Sequence, residues 1–565
     1  MILAPALLLA ASAVSATASG YVLRYFETYP SKATEAGRSD FDDRLEDLSP
    51  ARLEAWVAFG RDTERGLQTA LAGGVTSDDR LDAEAVLSHI ARERQDLTVR
   101  RRPQRDPLFW GGLAANATVF LLVRDDRPLT ERVERARSRV RLLPRLAAQA
   151  RQALADPAHI APELCPLAAG PLHSLAQFYR EGFPALAVRG PSHGVEAIRG
   201  EGAAAARALE DLAAFLDDLG RRGQGSPRLG PLYAETFRLG TDIDEPVSVV
   251  LARAQADLEA KRKEAAAYGR EAWPGVFPGE GAPEGDAALL RRLFSRLADD
   301  RARTVDEFVE DYRTQVREVD AFIHEKAIVT LPDPLTLFTS RSPAFFAGQS
   351  VGGVYPAGPY APEAKTLFYL PSPSDHATAE ESDAFFRDFN HHFNVMITPH
   401  EILPGHYMQL KWAARHPHKV RALFADPVYV EGWGTFCERL LLDLGWGGPL
   451  PRLAHFKKQL ENTARAVVDI RVHTQGMTRD DVVRFVKEEA LQDDQFAANM
   501  WVRAITTSPQ IATYWLGYRQ VSDLHEEVKR ARGASYRLKD FMDGMMELGP
   551  VPVRHYRERL LGADR

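Results

Sequence analysis

The sequence predicts a mainly α-helical protein with one small antiparallel β-sheet. Three observations carry this. Apolar residues recur three and four apart with charges between them through most of the chain, the mark of amphipathic helices. Composition is ordinary for a globular protein, with 45% hydrophobic and 26% charged residues among 565. Only from Ile328 to Tyr369 does the pattern change, to short β-branched and aromatic runs between Gly and Pro (IVTLPDPLTLF, QSVGGVYPAGPYAPE, KTLFYL), which read as strands.

Taken in order, residues 2–18 (ILAPALLLAASAVSATA) are apolar and small, and Val14-Ser15-Ala16 and Ala16-Thr17-Ala18 both fit a small-x-small cleavage site. Residues 1–18 therefore read as a signal peptide and the protein as secreted or periplasmic; because no Lys or Arg precedes Arg24, an uncleaved anchor or a buried first helix is the alternative, and no Cys stands near the mature start, where a lipoprotein needs one. The run is short for a membrane span and no second one follows, so no stable membrane insertion is expected beyond this segment. Ser49-Pro50 opens a helix carrying Leu53, Trp56, Val57 and Gly60, and helical periodicity covers 79–97, 130–155, 194–220 and 245–268. The Arg-rich run from Arg132 to Arg151 reads as the solvated face of a helix rather than a phosphate site. Trp273 to Gly285 (WPGVFPGEGAPEG) breaks the pattern as a lobe boundary or long surface loop. The expected organisation is an N-terminal helical lobe at 21–272, a Pro/Gly-rich loop at 273–286 and a catalytic lobe at 287–565, the two lobes forming one unit. Helices resume at 286–297 and 305–326, and another runs from about Glu380 through Phe385, Phe386 and Phe389.

Charge excludes some partners. Formal net charge is 71 − 78 = −7, spread along the chain, so neither nucleic acid nor a polybasic membrane contact is indicated and a peptide or other small-molecule substrate fits better. Cys165 and Cys437 make no disulfide framework, and both read as small buried hydrophobes.

The chemistry concentrates in His400-Glu401-Ile402-Leu403-Pro404-Gly405-His406. Neutral imidazole is a good zinc ligand, and a carboxylate beside the first ligand is placed to take a proton from water that the metal activates. In the common HExxH pattern the histidines lie four apart on one helix face. Here they lie six apart, which at about 100° per residue leaves them roughly 120° out of register. A straight helix cannot chelate with this pair. Pro404 lacks the N–H that would reach the His400 carbonyl, so the helix must open or kink there, and Gly405 permits the turn. The competing reading is a helix start with Thr398 as N-cap, Pro399 at N1 and Glu401 at N3. His391 and His392, adjacent and diverging, read as surface or supporting residues.

A catalytic zinc needs a third protein ligand. Glu431, in Val430-Glu431-Gly432-Trp433-Gly434, is the preferred donor: it starts a helix 25 residues after His406, and Gly432 and Gly434 allow close approach of backbones. Glu438, two turns on, reads as an acceptor for a ligand imidazole or as a salt-bridged helix residue. A strand edge upstream of the motif suits an extended peptide, with Tyr355 and Tyr360 as candidate substrate-binding aromatics or ordinary packing residues. His473 and Tyr514 are not distinguishable from structural residues on spacing alone.

Several spaced motifs, His400-Glu401-x-x-Pro404-Gly405-His406, Glu431-Gly432-Trp433 with Glu438, Asp469-x-x-x-His473, and Arg503 followed by Gln510, Tyr514 and Gly517, resemble the bacterial family known as domain of unknown function 885. That family is a zincin-like group related to the helical peptidases that include angiotensin-converting enzyme and the thermostable carboxypeptidases. The resemblance extends to Pro30, Ala33-Thr34, Gly37, Asp43 to Ser49 and Arg139 to Leu146. It implies a zincin-like helical peptidase fold with a deep cleft, zinc on His400, His406 and Glu431, and Glu401 as general base. By analogy His473 and Tyr514 stabilise an oxyanion and Arg503 binds a substrate carboxylate. Ser508-Pro509 and Arg471-Val472 depart from the family's usual Pro-Gly and Thr-Gly pairs, which bears on specificity and activity. The expected function is zinc metallopeptidase action on short peptides; the alternatives are a zinc hydrolase of a non-peptide amide or ester, and a non-catalytic peptide-binding protein.

Overall fold

The computed structural model describes residues 3–188, 194–342, 353–373 and 377–562. Residues 1–2 of the expected signal segment and 343–352 of the expected sheet region lie outside them. Helices dominate, and several fall where periodicity places them: Asp286–Leu297 and Val305–Lys326 match residue for residue, while Val195–Arg222 and Val247–Val276 begin one and two residues later than the expected spans and run past their ends. The expected span 130–155 is two helices, Leu129–Val140 and Leu143–Ala153, with Pro144 in the first turn of the second. Proline is tolerated there because first-turn N–H groups have no intrahelical acceptor.

The first helix runs Leu3–Thr28, across both expected cleavage sites, and Val14, Ala18, Tyr21 and Phe26 are buried with Trp56 and Leu67 of the helix Pro50–Ala72 and Val86 of the helix Ser77–Arg94. The same cluster continues to Leu219 and takes in Val420 and Phe424 from the C-terminal half. From Tyr233 onward the chain packs with C-terminal helices: Tyr233, Phe237 and Val250 meet Ala466, Ile470 and Trp515. Trp273 and Phe277 share one cluster with Leu289 and Phe294 on the far side of the Pro/Gly-rich stretch, and the Trp273 indole donates to the Glu280 carbonyl at 2.8 Å. Trp273 to Val276 thus end the helix Val247–Val276, and the loop proper runs from Phe277 to Gly285 beside that cluster.

The Arg-rich run is only partly a solvated face. Arg139 is 1% exposed and donates to the carbonyls of Ala117, Pro30 and Phe41 and to Thr34 Oγ1, while Arg145 donates to the carbonyls of Leu45 and Glu46. Between Ala36 and Ser49 the chain has little regular structure, so its carbonyls need donors from elsewhere, and the guanidinium fork supplies several at once.

The sheet is small, as expected, but mixed rather than antiparallel. β1 (Leu337–Arg341) pairs parallel with β3 (Thr366–Leu370), and β2 (Gly353–Tyr355) pairs antiparallel with β3 from the other side. A parallel pair needs a crossover of a dozen or more residues, which the connection between β1 and β3 provides. β3 is buried along its length, and Phe368 meets Tyr312 edge-on at 5.6 Å. The Thr336 N–H, just before β1, donates to Tyr407 Oη at 2.8 Å, tying the sheet to the helix that opens at His406. Both cysteines are free and buried. Among the described residues no helix is long and apolar enough to cross a membrane.

Candidate metal centre

The helix His391–Glu401 is capped by Asn390, whose side chain accepts from the Phe393 N–H at 3.0 Å. Thr398 is therefore interior, not an N-cap; its hydroxyl donates to the Asn394 carbonyl and to Gln315 Oε1, each at 2.8 Å. Pro399 cannot bond the Val395 carbonyl, and the Trp446 indole donates to that carbonyl instead at 2.9 Å. The helix stops at Glu401 and a new one begins at His406. A Cβ on Gly405 would lie 2.0 Å from the His400 carbonyl oxygen, so only glycine fits where the chain doubles back. The Pro404 carbonyl accepts from the Trp433 indole at 2.8 Å. This break turns His406 toward His400, with ring centroids 4.6 Å apart and planes at 81°.

Glu431 lies in the second turn of the helix Pro427–Asp443, which starts earlier than expected because Asp426 caps it, accepting from Tyr429 N–H at 2.7 Å. The two glycines act as spacers. A Cβ on Gly432 would meet the Gly517 backbone at 2.3 Å, and one on Gly434 would meet the His400 ring at 2.9 Å. The helices Pro427–Asp443 and Gln510–Arg532 thus cross backbone to backbone. Among the described residues, His400, His406 and Glu431 place three ligand atoms within 4.8 Å of one another. Glu431 Oε2 is 3.6 Å from His400 Nε2 and 3.5 Å from His406 Nε2. Ligands about 2.0–2.1 Å from a tetrahedral zinc lie about 3.3–3.4 Å from each other, so these separations fit one ion.

Electrostatics agree with a cation site. Glu438, fully buried, accepts from His400 Nδ1 at 2.7 Å through one oxygen and meets His455 Nδ1 at 3.1 Å through the other. It stands as the acceptor beside His400 that the sequence suggested, and it turns His400 Nε2 toward Glu431. Burial alone would lower His400, but hydrogen bonds to Glu431 and Glu438 outweigh it and raise the imidazole to about 10. Burial acts to raise both carboxyls; contact with the imidazoles outweighs it, holding Glu431 well below the usual range and Glu438 down at about 2. Glu401, whose charge reaches both His400 and Tyr312, adds a third carboxylate. These carboxylates beside two imidazoles make a donor set that could take a divalent cation.

Tyr514 belongs to the same site. Its ring lies 6.3 Å from that of His400, and its hydroxyl accepts from Gln510 Nε2 at 3.3 Å. Gln510 Nε2 also donates to Glu431 Oε1 at 3.0 Å, and Arg503 Nη2 donates to Gln510 Oε1 at 2.7 Å. Arg503 is thus engaged in holding the ligand set. Arg465, which sequence reasoning missed, stacks 4.5 Å over the Tyr514 ring and pairs with Glu461 at 2.6 Å. Its only sequence signal is the Glu461–Arg465 spacing of four, common on any helix.

Three expected site residues are not brought to this group. His473 uses both ring nitrogens on backbone: Leu229 N–H donates to Nδ1 at 3.1 Å, and Nε2 donates to the Ala504 carbonyl at 2.9 Å. Burial lowers it to about 4, so it is neutral with no donor left for an oxyanion, and it lies two turns, about 12 Å, beyond Arg465 on its helix. Tyr355 packs against Phe120 and Tyr369, and Tyr360 packs against Phe26 beneath Arg38 and Lys419. Both tyrosines fill contacts with the N-terminal helices. His391 and His392 pair with Asp311 and Asp300, as supporting residues.

Fold and site together define a mainly helical protein with a His-His-Glu group, His400 buried and the other two half-buried, that could hold a metal ion. The chain belongs to the family described as "Bacterial protein of unknown function (DUF885)", which matches residues 30–560. Among solved structures it is similar to "a putative lipoprotein of unknown function from Shewanella oneidensis" (TM-score 0.80, 24% identity, 97% of this chain and 99% of that one). It is also similar to "the putative lipoprotein from Colwellia psychrerythraea" (TM-score 0.78, 14% identity, 97% and 98%). No functionally curated protein matches the chain.

Proposed function

We propose that the protein is a zinc-dependent hydrolase of the zincin-like class that cleaves peptide bonds in short peptides. The observation that carries this is the convergence of His400, His406 and Glu431 with Glu401 directly beside the first ligand. Zinc held there supplies Lewis-acid polarisation of the scissile carbonyl and of water. Glu401 takes a proton from the attacking water and returns it to the departing amine nitrogen as the C–N bond breaks. Tyr514, with His473 committed elsewhere, is the donor for the oxyanion, and burial and Glu431 keep its phenol protonated. Glu438 and Gln510 orient His400 and Glu431. An extracytoplasmic setting agrees with the small-x-small sites after the apolar N-terminal run and with the names given to the two structural neighbours.

The test is Glu401→Gln assayed on a mixed-peptide library and on small amides and esters. Peptide turnover should fall by at least ~100-fold while bound zinc is unchanged. Full peptide activity in the variant would remove the mechanism, and activity confined to small amides or esters would replace the substrate class.

A further inference from the structure

A second cavity, of about 240 Å³, lies between the turn after the Ser77–Arg94 helix, the loop before Tyr233 and the end of the helix Asp494–Thr507. None of the three metal-ligand residues lines it. Four guanidinium groups do: Arg100, Arg102, Arg105 and Arg228. Two are neutralised locally, Arg100 by Asp96 at 2.8 Å and Arg102 by Asp106 at 2.8 Å. The other two pair with no carboxylate among the described residues. Arg228 donates to the Met477 carbonyl at 3.1 Å and lies 5.5 Å over the Trp501 ring, and Arg105 makes no side-chain hydrogen bond or ion pair among the described residues. In both, Nε is shielded from water without an acceptor. Neither guanidinium has its charge neutralised by a carboxylate among the described residues, so both keep charge for an anion in the cavity.

The lining adds a donor. Ser226 Oγ accepts from the Arg228 backbone N–H at 3.1 Å and keeps its own hydrogen to give. Two unneutralised guanidinium groups and a hydroxyl match a tetrahedral oxyanion carrying close to two negative charges, which planar guanidinium forks hold with paired N–H bonds. The volume is several times the about 30 Å³ share of one water, room for a phosphate with a small organic group attached.

We propose that this cavity is a phosphate-binding site, taking inorganic phosphate or a small phosphate ester, with Arg105 and Arg228 as anchors. It stands apart from the metal chemistry, so either reading can fail alone. The test is calorimetric titration of the full-length protein with inorganic phosphate, glycerol phosphate and succinate, at constant ionic strength set with chloride. Expected is saturable phosphate binding that weakens at least tenfold in Arg105→Ala and in Arg228→Ala, with helix content and zinc content unchanged; tighter binding of glycerol phosphate would identify an ester as the ligand. Arg105 holds no bond that folding needs, so its variant is a clean probe. Absence of saturable binding, equal binding by both variants, or succinate binding as tightly as phosphate would overturn the assignment.

Discussion

Gln510 occupies a pivotal place among the residues around the metal group. Arg503 has only donors, so the Gln510 atom it meets must be the carbonyl oxygen, and the amide nitrogen must then face Glu431 Oε1. That bond fixes Glu431 so that Oε2 faces the two imidazoles. Removing such supporting partners typically costs 10–100-fold in metal affinity. Gln510→Ala and Glu438→Ala should each weaken zinc binding by about that factor in a chelator competition, with Tyr514→Phe leaving it unchanged. Asp469 offers a pH signature. Burial raises its carboxyl to about 7 even though Tyr233 donates to it at 2.7 Å. Between the unfolded value of about 3.9 and 7 the folded state binds the extra proton, so this group's contribution to stability falls as pH rises through that window. Asp469→Asn should gain on the wild type by more than ~1 kcal/mol between pH 4.5 and pH 8 in urea unfolding; a constant difference would contradict it. At this scale the legible residues were those whose spacing carries the chemistry: His400, His406, Glu431 and Glu438. His473 was not legible, because its partner Leu229 is 244 residues away and no local pattern announces a backbone N–H.

At the scale of elements, the site depends on two helices meeting without side chains between them. A Cβ on Gly517 would lie 1.9 Å from the Val428 carbonyl oxygen and 2.7 Å from Gly432 Cα. Backbone cannot yield as a flexible side chain does, so Gly517→Ala should destabilise by at least ~1–3 kcal/mol in urea unfolding and lower zinc affinity with it. A loss in stability with zinc affinity intact would separate the crossing from the site. Helices such as 286–297 and 305–326 were legible because one face is apolar and the other charged. The helix Pro449–Gln475 was not. It is buried over most of its length, yet carries His455, Glu461, Arg465 and Asp469, which satisfy one another and neighbouring helices rather than water. The polarity of the sheet was missed for a related reason: strand-forming residues show strands, whereas pairing direction depends on the path of the connection.

For the molecule as a whole, the metal and the fold should be coupled. The ligands come from three helices, at 391–401, 406–415 and 427–443, and the supporting residues from the last of these and from three more, at 449–475, 494–507 and 510–532. A ligand that binds only the folded state stabilises it in proportion to the logarithm of its concentration over its dissociation constant, about 2.7 kcal/mol at a hundredfold excess. Chelation should therefore lower the melting temperature, and zinc should restore it. The long-range organisation, in which 229–254 packs with C-terminal helices and Val420 and Phe424 close the N-terminal core, follows from contacts that no local pattern encodes. The most direct measurement is elemental analysis of the purified protein after dialysis against limiting zinc. One zinc per chain is predicted for the wild type and for Glu401→Gln, falling well below one in His406→Ala and Glu431→Ala. Zinc absent from the wild type, or retained in full by the two ligand variants, would contradict the assignment of His400, His406 and Glu431 as its site.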